Sequence, residues 1–500
     1  MRGLATFLGT NTAPTGLDRL DLIIIAIYLV GITLFGLRFR KQQRSLRDYF
    51  LADRNIPWWA IALSIVAAET STLTIISIPG LAYETNLGFL QVVFGYLVAR
   101  LIISALFIPQ YFRGEMFTAY QLIERRFGTR LRSLTAGLFL LTRAAAEGVR
   151  VFAVSIVVGI AIGTGDIASI AIITALTLIY TFEGGMAAVI WTDVVQMVIY
   201  VAGTIVGFFT LLHLVPGGWN TIHATADAAA KFRIFDFSPQ FSKTYTFWAG
   251  LIGGTFLTTA SHGTDQLMVQ RLLSARNARQ SQLALLSSGI AILFQFALFL
   301  VIGVMLFVFY RMSPPATPFG SSDRIFPTFI VTRMPHGLSG LLIAAILAAA
   351  MSNLSAALNS LSSSSIVDFY LRRKGTTTDQ GRVRISRIAT VIWGIVLFAL
   401  ALLSRRGGHV VEIGLSIASV AYGALLGVFL LGLLTRRANE LGAMVGMLLG
   451  FATELYIWLG THVPWTWYVT IGTTVTFAAG YLASLIFATY PTSRDSRDVA

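Results

Sequence analysis

The stretch AAAMSNLSAALNSLSSSS, residues Ala348–Ser365, follows the apolar run GLLIAAIL and contains no proline, glycine or charge, yet nine of its eighteen residues are Ser or Asn. With the run before it, the segment is long enough to cross a hydrocarbon core of about 30 Å as a helix. An unpaired polar group in hydrocarbon is costly, so side chains of this kind persist only where protein, ion or water answers them. At about 100° per residue, Ser352, Ser355, Asn359, Ser362 and Ser363 share one stripe, with Asn353 and Ser360 on its flank. Leu354, Leu358 and Leu361 occupy the opposite side, which predicts a face for lipid or packing and a face for a lined cavity or ion site. The simpler account is close helix packing, since Ser and Ala let backbones approach and Ser can bond back to the i−4 carbonyl.

Composition agrees with a membrane setting. Of 500 residues, 55% are hydrophobic and 12% charged, with mean hydropathy +0.74, whereas soluble domains carry about 25% charged residues. Apolar runs of about 20 residues recur along the chain, predicting an all-α integral membrane protein of about thirteen spans in the lipid bilayer of the cell. With the N-terminus outside and the C-terminus cytoplasmic, 24 of the 37 Lys and Arg fall in inner loops, the expected positive-inside bias. That scatter accounts for the +14 net charge and argues against nucleic-acid binding, which gathers basic residues on one face. No cysteine is present, so there is no disulfide framework or thiolate metal site. No apolar h-region precedes the first span, and no cleaved signal peptide is expected.

Two further spans are polar in their middles. IPWWAIALSIVAAETSTLTIISIPG, residues 56–80, carries Ser64, Glu69, Thr70, Ser71, Thr72 and Thr74. A carboxylate there is a functional hypothesis by default, and the clustered hydroxyl residues weaken the helix and free carbonyls. FWAGLIGGTFLTTASHGTDQ, residues 247–266, sets Thr258, Thr259, Ser261 and His262 between glycines. Breaks are expected within 64–74 and 253–263. Two interrupted spans in corresponding positions of two halves point to an inverted-repeat transporter with its site at the bilayer midplane.

IPWWAIALSIVAAETS at 56–71, FTAYQLIERRFG at 117–128, GGMAAVIWTDVVQ at 184–196, GTDQLMVQRLLSARN at 263–277 and the Ser-rich span through Tyr370 resemble the sodium:solute symporter family in order and approximate spacing. That family includes sodium-coupled sugar, proline, iodide and vitamin carriers. The resemblance implies a LeuT-type 5+5 inverted repeat: an N-terminal helix and basic cytoplasmic loop (1–55), repeat 1 (56–214), an extracytoplasmic loop (215–244), repeat 2 (245–435), then two helices and a short tail (436–500). It also implies Na⁺ held by the carbonyls of Ala67, Thr70 and Ala349 and by the side chains of Ser352 and residue 353, where Asn353 replaces the family's usual Ser or Thr. Oxygen donors of this number suit a hard cation. Glu69 matches a position near that site and is either a countercharge or a carboxyl paired to a buried arginine. Asp193 and Ser355 match a second sodium site of some members, but its third position is Ala356, leaving a gating or structural role for Asp193.

The solute is less legible. Val93 stands where the sugar carriers have an acid, which makes a poor hexose pocket. Thr74, Gln91, Phe94, Thr258, Ser261 and His262 are the candidate contacts for a small polar or anionic organic solute. Arg143, Glu147 and Arg150 share one face of the fourth span, as an internal salt-bridge ladder or with an arginine left over for a carboxylate. A membrane-embedded enzyme and a transporter-like sensor or channel are the alternative classes. The scattered histidines and the absence of an HExxH motif disfavour the first, and the short C-terminal tail disfavours a fused signalling module. The oligomeric state is not legible, and the monomer is taken as the functional unit.

Overall fold

The computed structural model describes residues 17–39, 45–70, 72–162, 164, 166–315, 318–373, 378–404 and 410–487. Among them every repetitive element is helical: α1 Arg19–Leu37, α2 Trp58–Glu69, α3 Thr72–Glu84, α4 Leu90–Tyr111, α5 Thr129–Ile162, α6 Asp166–Leu214, α7 Gly254–Gly263, α8 Gln266–Leu273, α9 Ala278–Met312, α10 Leu338–Ser364, α11 Asp379–Ser404, α12 Val410–Leu434, α13 Glu440–Gly460 and α14 Tyr468–Phe487. Nine helical stretches among the described residues are long and apolar enough to span a membrane, or ten if α2 and α3, bent by 58°, form one broken span. The expected thirteen is therefore not established as a count. Helices do occupy the remaining expected places: α5, with Arg143, Glu147 and Arg150 in its middle, the short apolar Ile167–Ile179 of α6, and the α7/α8 pair.

The Ser-rich helix α10 has no lipid face. In its apolar stretch 94% of residues are buried, against 28% in α1 and in α11, and Leu354, Leu358 and Leu361 are as enclosed as the serines. Of the two readings of the leucine face, lipid or packing, packing is the one observed: both faces meet protein, because α10 packs against α1, α2, α5, α6, α8 and α11 at once. Small side chains permit that many close neighbours.

Both expected breaks exist, and one lies later than predicted. Helix α2 ends at Thr70, whose φ −85° and ψ 81° leave the helical region, beside residue 71, which lies outside the described residues. The second break is not within 253–263. That segment is helical after a π turn at Ala249–Gly253, and the chain breaks at Thr264, with Asp265 capping α8 by accepting from the Leu267 N–H at 2.9 Å. Pro79 does not stop α3, which runs on to Glu84 against Gly303 of α9. Helix α6 bends at Gly185, whose φ 57° and ψ −153° only glycine adopts readily, and the bend sets the direction of the segment that bears Asp193.

At its first turn α1 is clasped to α10. Asp21 is fully buried, and its Oδ1 accepts from the N–H groups of Gly337 and Gly340, each at 2.7 Å, satisfying donors that a helix start leaves open. His336, in the loop before α10, places Nδ1 3.0 Å from Asp21 Oδ2, and that hydrogen bond, helped by Asp18, raises its pKa above the usual 6.5. A raised folded-state value means that the protonated ring favours the fold: the contribution is complete below pH 6.5 and disappears as pH climbs through the raised value. His336→Ala should therefore lower the unfolding temperature in detergent at about pH 5.5 and leave it unchanged at about pH 9. An equal gap between wild type and variant at both pH values would contradict this linkage.

Candidate functional site

Helix ends release their last carbonyls from intrahelical bonding, and at the end of α2 those include Ala67. Thr70 is fixed from two sides: Gln295 Nε2 of α9 donates to its Oγ1 at 2.8 Å, and Asn353 Nδ2 of α10 donates to its carbonyl at 3.4 Å. Asn353 and Ser352 are both buried on the side of α10 that meets this break. Of the five residues expected to surround a cation, four therefore gather at the α2/α10 contact. Ala349, one turn earlier on α10, has its side chain outside the described residues.

Asp193 sits in a closed network of side chains, the kind of arrangement a structural role requires. Its Oδ1 accepts from Ser352 Oγ at 2.6 Å and its Oδ2 from Ser64 Oγ at 2.5 Å, while Arg271 of α8 reaches Oδ2 through Nη2 at 2.8 Å and Ser64 through Nε at 2.8 Å. Ser355 Oγ instead donates to the Ser352 carbonyl at 2.9 Å. Asp193 and Ser355, matched by the resemblance to a second sodium site, do not meet: a guanidinium occupies the flank of the carboxylate, and the Ser355 hydroxyl is satisfied within its own helix. All four members, Ser64, Asp193, Arg271 and Ser352, are at most 1% exposed and tie both broken helices to α6 and α10. With one acid and one guanidinium, the network has no net charge.

Beyond the break lies a cavity of about 860 Å³. Its walls include Thr74 of α3, Thr258, Ser261 and His262 of α7, and Arg143, five of the residues the sequence singled out, together with Glu69. Its lining extends to Tyr83 and Glu84, where α3 ends, and to Pro318 and Phe319 in the loop after α9. Glu69 pairs with Arg100 of α4 and sits 3.3 Å from His262 Nε2, so the reading of a carboxyl held by a buried arginine is the one observed. Both contacts use Oε2 of Glu69.

Arg143 is not left over. Its Nη2 lies 2.8 Å from Glu147 Oε1, and its Nη1 is 3.2 Å from Asp265 Oδ2 and donates to Tyr422 Oη at 3.3 Å. Tyr422 in turn donates to Asp265 Oδ2 at 2.9 Å, and Glu147 Oε1 also accepts from Arg150 at 2.6 Å. Two arginines thus face two acids. Arg150 has the looser setting, with its side chain 20% exposed and lining the cavity.

Two candidates lie elsewhere. Gln91 donates to the carbonyls of Gly88 and Tyr245 and accepts from the Asp236 N–H, and Phe94 stacks on Phe235 at 6.0 Å. Both fasten the 229–247 loop instead of lining the cavity, because the side of α4 that carries them meets that loop. Sequence reasoning missed Asp265 and Tyr422. Asp265 was detectable, since an Asp just before the apolar QLMV run is a helix N-cap signal.

Residues 49–450 match the model of the sodium:solute symporter family. The sodium/sialic acid symporter NanT of Aliivibrio fischeri is 30% identical, over 94% of this chain and 93% of its own, and the sodium/iodide cotransporter of Homo sapiens is 28% identical, over 90% and 71%. A solved structure of a Na⁺-coupled sialic acid symporter, substrate-bound and outward-open, superposes with a TM-score of 0.87 at 28% identity, covering 94% of this chain and 98% of that one. That structure revealed a novel Na⁺ site in its own chain. Mhp1, a nucleobase-cation-symport-1 family transporter in a closed conformation, shares the fold at TM-score 0.58 and 14% identity.

The Asp193 network makes a stability prediction. Removing one partner of a buried ion pair leaves an uncompensated charge, at about 3–5 kcal/mol. Arg271→Met should lower the unfolding temperature strongly, and adding Asp193→Asn should recover most of the loss. A double variant no more stable than Arg271→Met alone would show that the arginine matters for something other than this charge.

Proposed function

This chain belongs to the sodium:solute symporter family, and from that premise we propose that its cavity takes a small organic anion and that one Na⁺ at the α2/α10 contact drives its uptake. The chain is a sodium-coupled membrane transporter, not an enzyme. What remains to be inferred is which residues serve, which way the chain lies, and what it carries.

For the solute, the carrying observation is the Arg143–Arg150 wall facing the cavity. A guanidinium matches a carboxylate with two parallel hydrogen bonds, and relatives are named for sialic acid, iodide and monocarboxylates, all anionic. An incoming carboxylate would meet Arg150 first and share Arg143 with Glu147 and Asp265. Across the cavity, Glu69 Oε1, Ser261, Thr258 and Thr74 present oxygens suited to hydroxyl or amide groups, which favours a polar organic anion.

For sodium, Ala67, Thr70, Ala349, Ser352 and Asn353 form the proposed set. Asp193 acts behind it: by accepting the Ser352 proton-bearing side at 2.6 Å it turns the lone pairs of that hydroxyl away from itself, where a cation can use them. Arg271 beside Asp193, the inward-bonded Ser355 and the methyl of Ala356 support a single ion per cycle. The excess of basic residues in alternate loops supports N-out and C-in, which puts the end of α3, and with it the Tyr83 end of the cavity lining, on the outer side. Sodium bridging α2 and α10 would stabilise the open form, the solute would bind above it, and closure followed by inner opening would release both. The proposed organisation keeps thirteen spans, with repeats over 56–214 and 245–435, in a chain that works as a monomer.

Proteoliposomes test the solute reading. A labelled sialic acid, a labelled monocarboxylate and radioiodide should be compared under inward Na⁺ and K⁺ gradients. At least one organic anion should accumulate with Na⁺ only, and Arg143→Gln should abolish that uptake in a protein that still folds. Unchanged uptake by the variant would end the anion site.

The sodium reading has its own measurement. Uptake against sodium concentration should give a Hill coefficient near 1, with Ser352→Ala raising the half-saturating concentration by about tenfold, the scale of one lost ligand contact. A coefficient near 2, or an unaltered midpoint in Ser352→Ala, would count against the single-ion site.

A further inference from the structure

Among the described residues one buried carboxyl has no basic partner. Glu454 of α13 is fully enclosed, outside both proposed repeats, and forms no ion pair. A lone acid at such depth is costly and calls for a role. Its two oxygens accept from consecutive backbone N–H groups of α12: Oε1 from Gly423 at 3.1 Å and Oε2 from Ala424 at 3.2 Å. N–H groups in a helix interior normally bond only four residues back, and a side chain reaches them here because no side chain stands in the way. A Cβ on Gly423 would lie 2.2 Å from Glu454 Oε1, and one on Gly472 of α14 would lie 2.1 Å from its Cδ. Glycines on two helices thus make the space that this carboxyl fills.

The gripped turn is the one that begins with Tyr422. That residue lines the cavity, donates to Asp265 Oδ2 at 2.9 Å and receives Arg143 Nη1 at 3.3 Å. Fixing the N–H groups of residues 423 and 424 sets both the rotation of α12 and its height along the axis at Tyr422. We propose that Glu454 is a positioning residue for the solute site, holding from the C-terminal helices the turn that aims Tyr422 at Asp265 and Arg143. The proposal rests on the reading of the cavity as the solute site. It gives α13 and α14 a part in solute recognition, although neither supplies a wall of the cavity.

Hydrogen–deuterium exchange on the full-length protein in detergent reads this without a solute. Glu454→Gln keeps the volume but turns one acceptor oxygen into an NH₂ donor that opposes a backbone N–H. Exchange should then quicken about tenfold in the peptide 419–426, and also in 264–270, where the Leu267 N–H bonds Asp265. In a Tyr422→Phe background the effect at 264–270 should vanish, because the hydroxyl that carries it is gone. Gly423→Ala displaces the carboxyl from the other side and should reproduce the pattern if Glu454→Gln fails to fold. Unchanged exchange at 264–270, a change there that persists without the Tyr422 hydroxyl, or a uniform rise over all helices would each overturn the proposal. In proteoliposomes, Glu454→Gln should raise the KM for labelled sialic acid about fivefold at unaltered sodium half-saturation, a loss of the size expected of a displaced hydrogen-bonding group. A wild-type protein that carries no sialic acid would bear on the solute reading alone, since the exchange measurements need none.

Discussion

A helix enclosed on every side inside a membrane protein has no water to fall back on, so each polar group on α10 must be answered by a neighbour. Ser352 is answered by Asp193, Asn353 by the Thr70 carbonyl, Asn359 by Met186 sulfur, Ser362 by the Ser386 carbonyl, Ser363 by Gln266, Ser364 by Asp368 and Ser365 by the indole of Trp393. Those partners stand on α2, α6, α8 and α11 and on the π turn that continues α10. Of the two readings of the polar face, packing or cavity lining, packing accounts for most of it: these side chains hold the surrounding helices in register. Of these, only Asn353, at the break of α2, meets backbone at a helix end, the Thr70 carbonyl.

Glu454 apart, the buried charges near the two proposed sites fall into groups that balance internally. Around the ion position, Asp193 faces Arg271, and around the cavity, Glu147 and Asp265 face Arg143 and Arg150. Neutral groups avoid the penalty of an isolated buried charge, but they also mean that neither ion nor solute enters a ready-made opposite field. A solute carboxylate gains only what it exchanges for existing contacts. Differential affinity between conformations, which is all that can drive a population shift, then resides in how those contacts are re-divided. Tyr422 and Asp265 stand at that division, and the proposed hold of Glu454 on the Tyr422 turn would act there.

The fold was readable where it depends on periodicity and composition. Long apolar runs gave the spans, Thr70 to Thr74 gave the first break, and the density of Ser and Asn singled out α10. Features set by tertiary register were not readable. Asp193 meets Ser352 of α10 and Arg271 of α8, and no sequence period encodes how α6 crosses those helices. Gln91 and Phe94 sit on a helix face that looked suitable for a solute, and a loop more than 130 residues away covers it. The second break follows the N-cap at Asp265 and not the glycines, because glycines at 250, 253 and 254 serve close approach to α4 and to Thr466.

Asn353 brings the ion position to one concrete choice. A hydroxyl combines donor and acceptor at a single atom, whereas an amide carries them on two. Here the donor end points at the Thr70 carbonyl, one of the oxygens in the proposed sodium set. In the proposed site a cation would draw on the same carbonyl, which has a second lone pair to offer, and a turned amide would present Oδ1 as a further oxygen. With the amide as it stands, α2 and α10 are joined directly through Asn353 and Thr70. A hydroxyl at position 353 would make a different join, so under the proposed mechanism the residue at this position would set how firmly the ion-free state is held and, through it, the apparent sodium affinity.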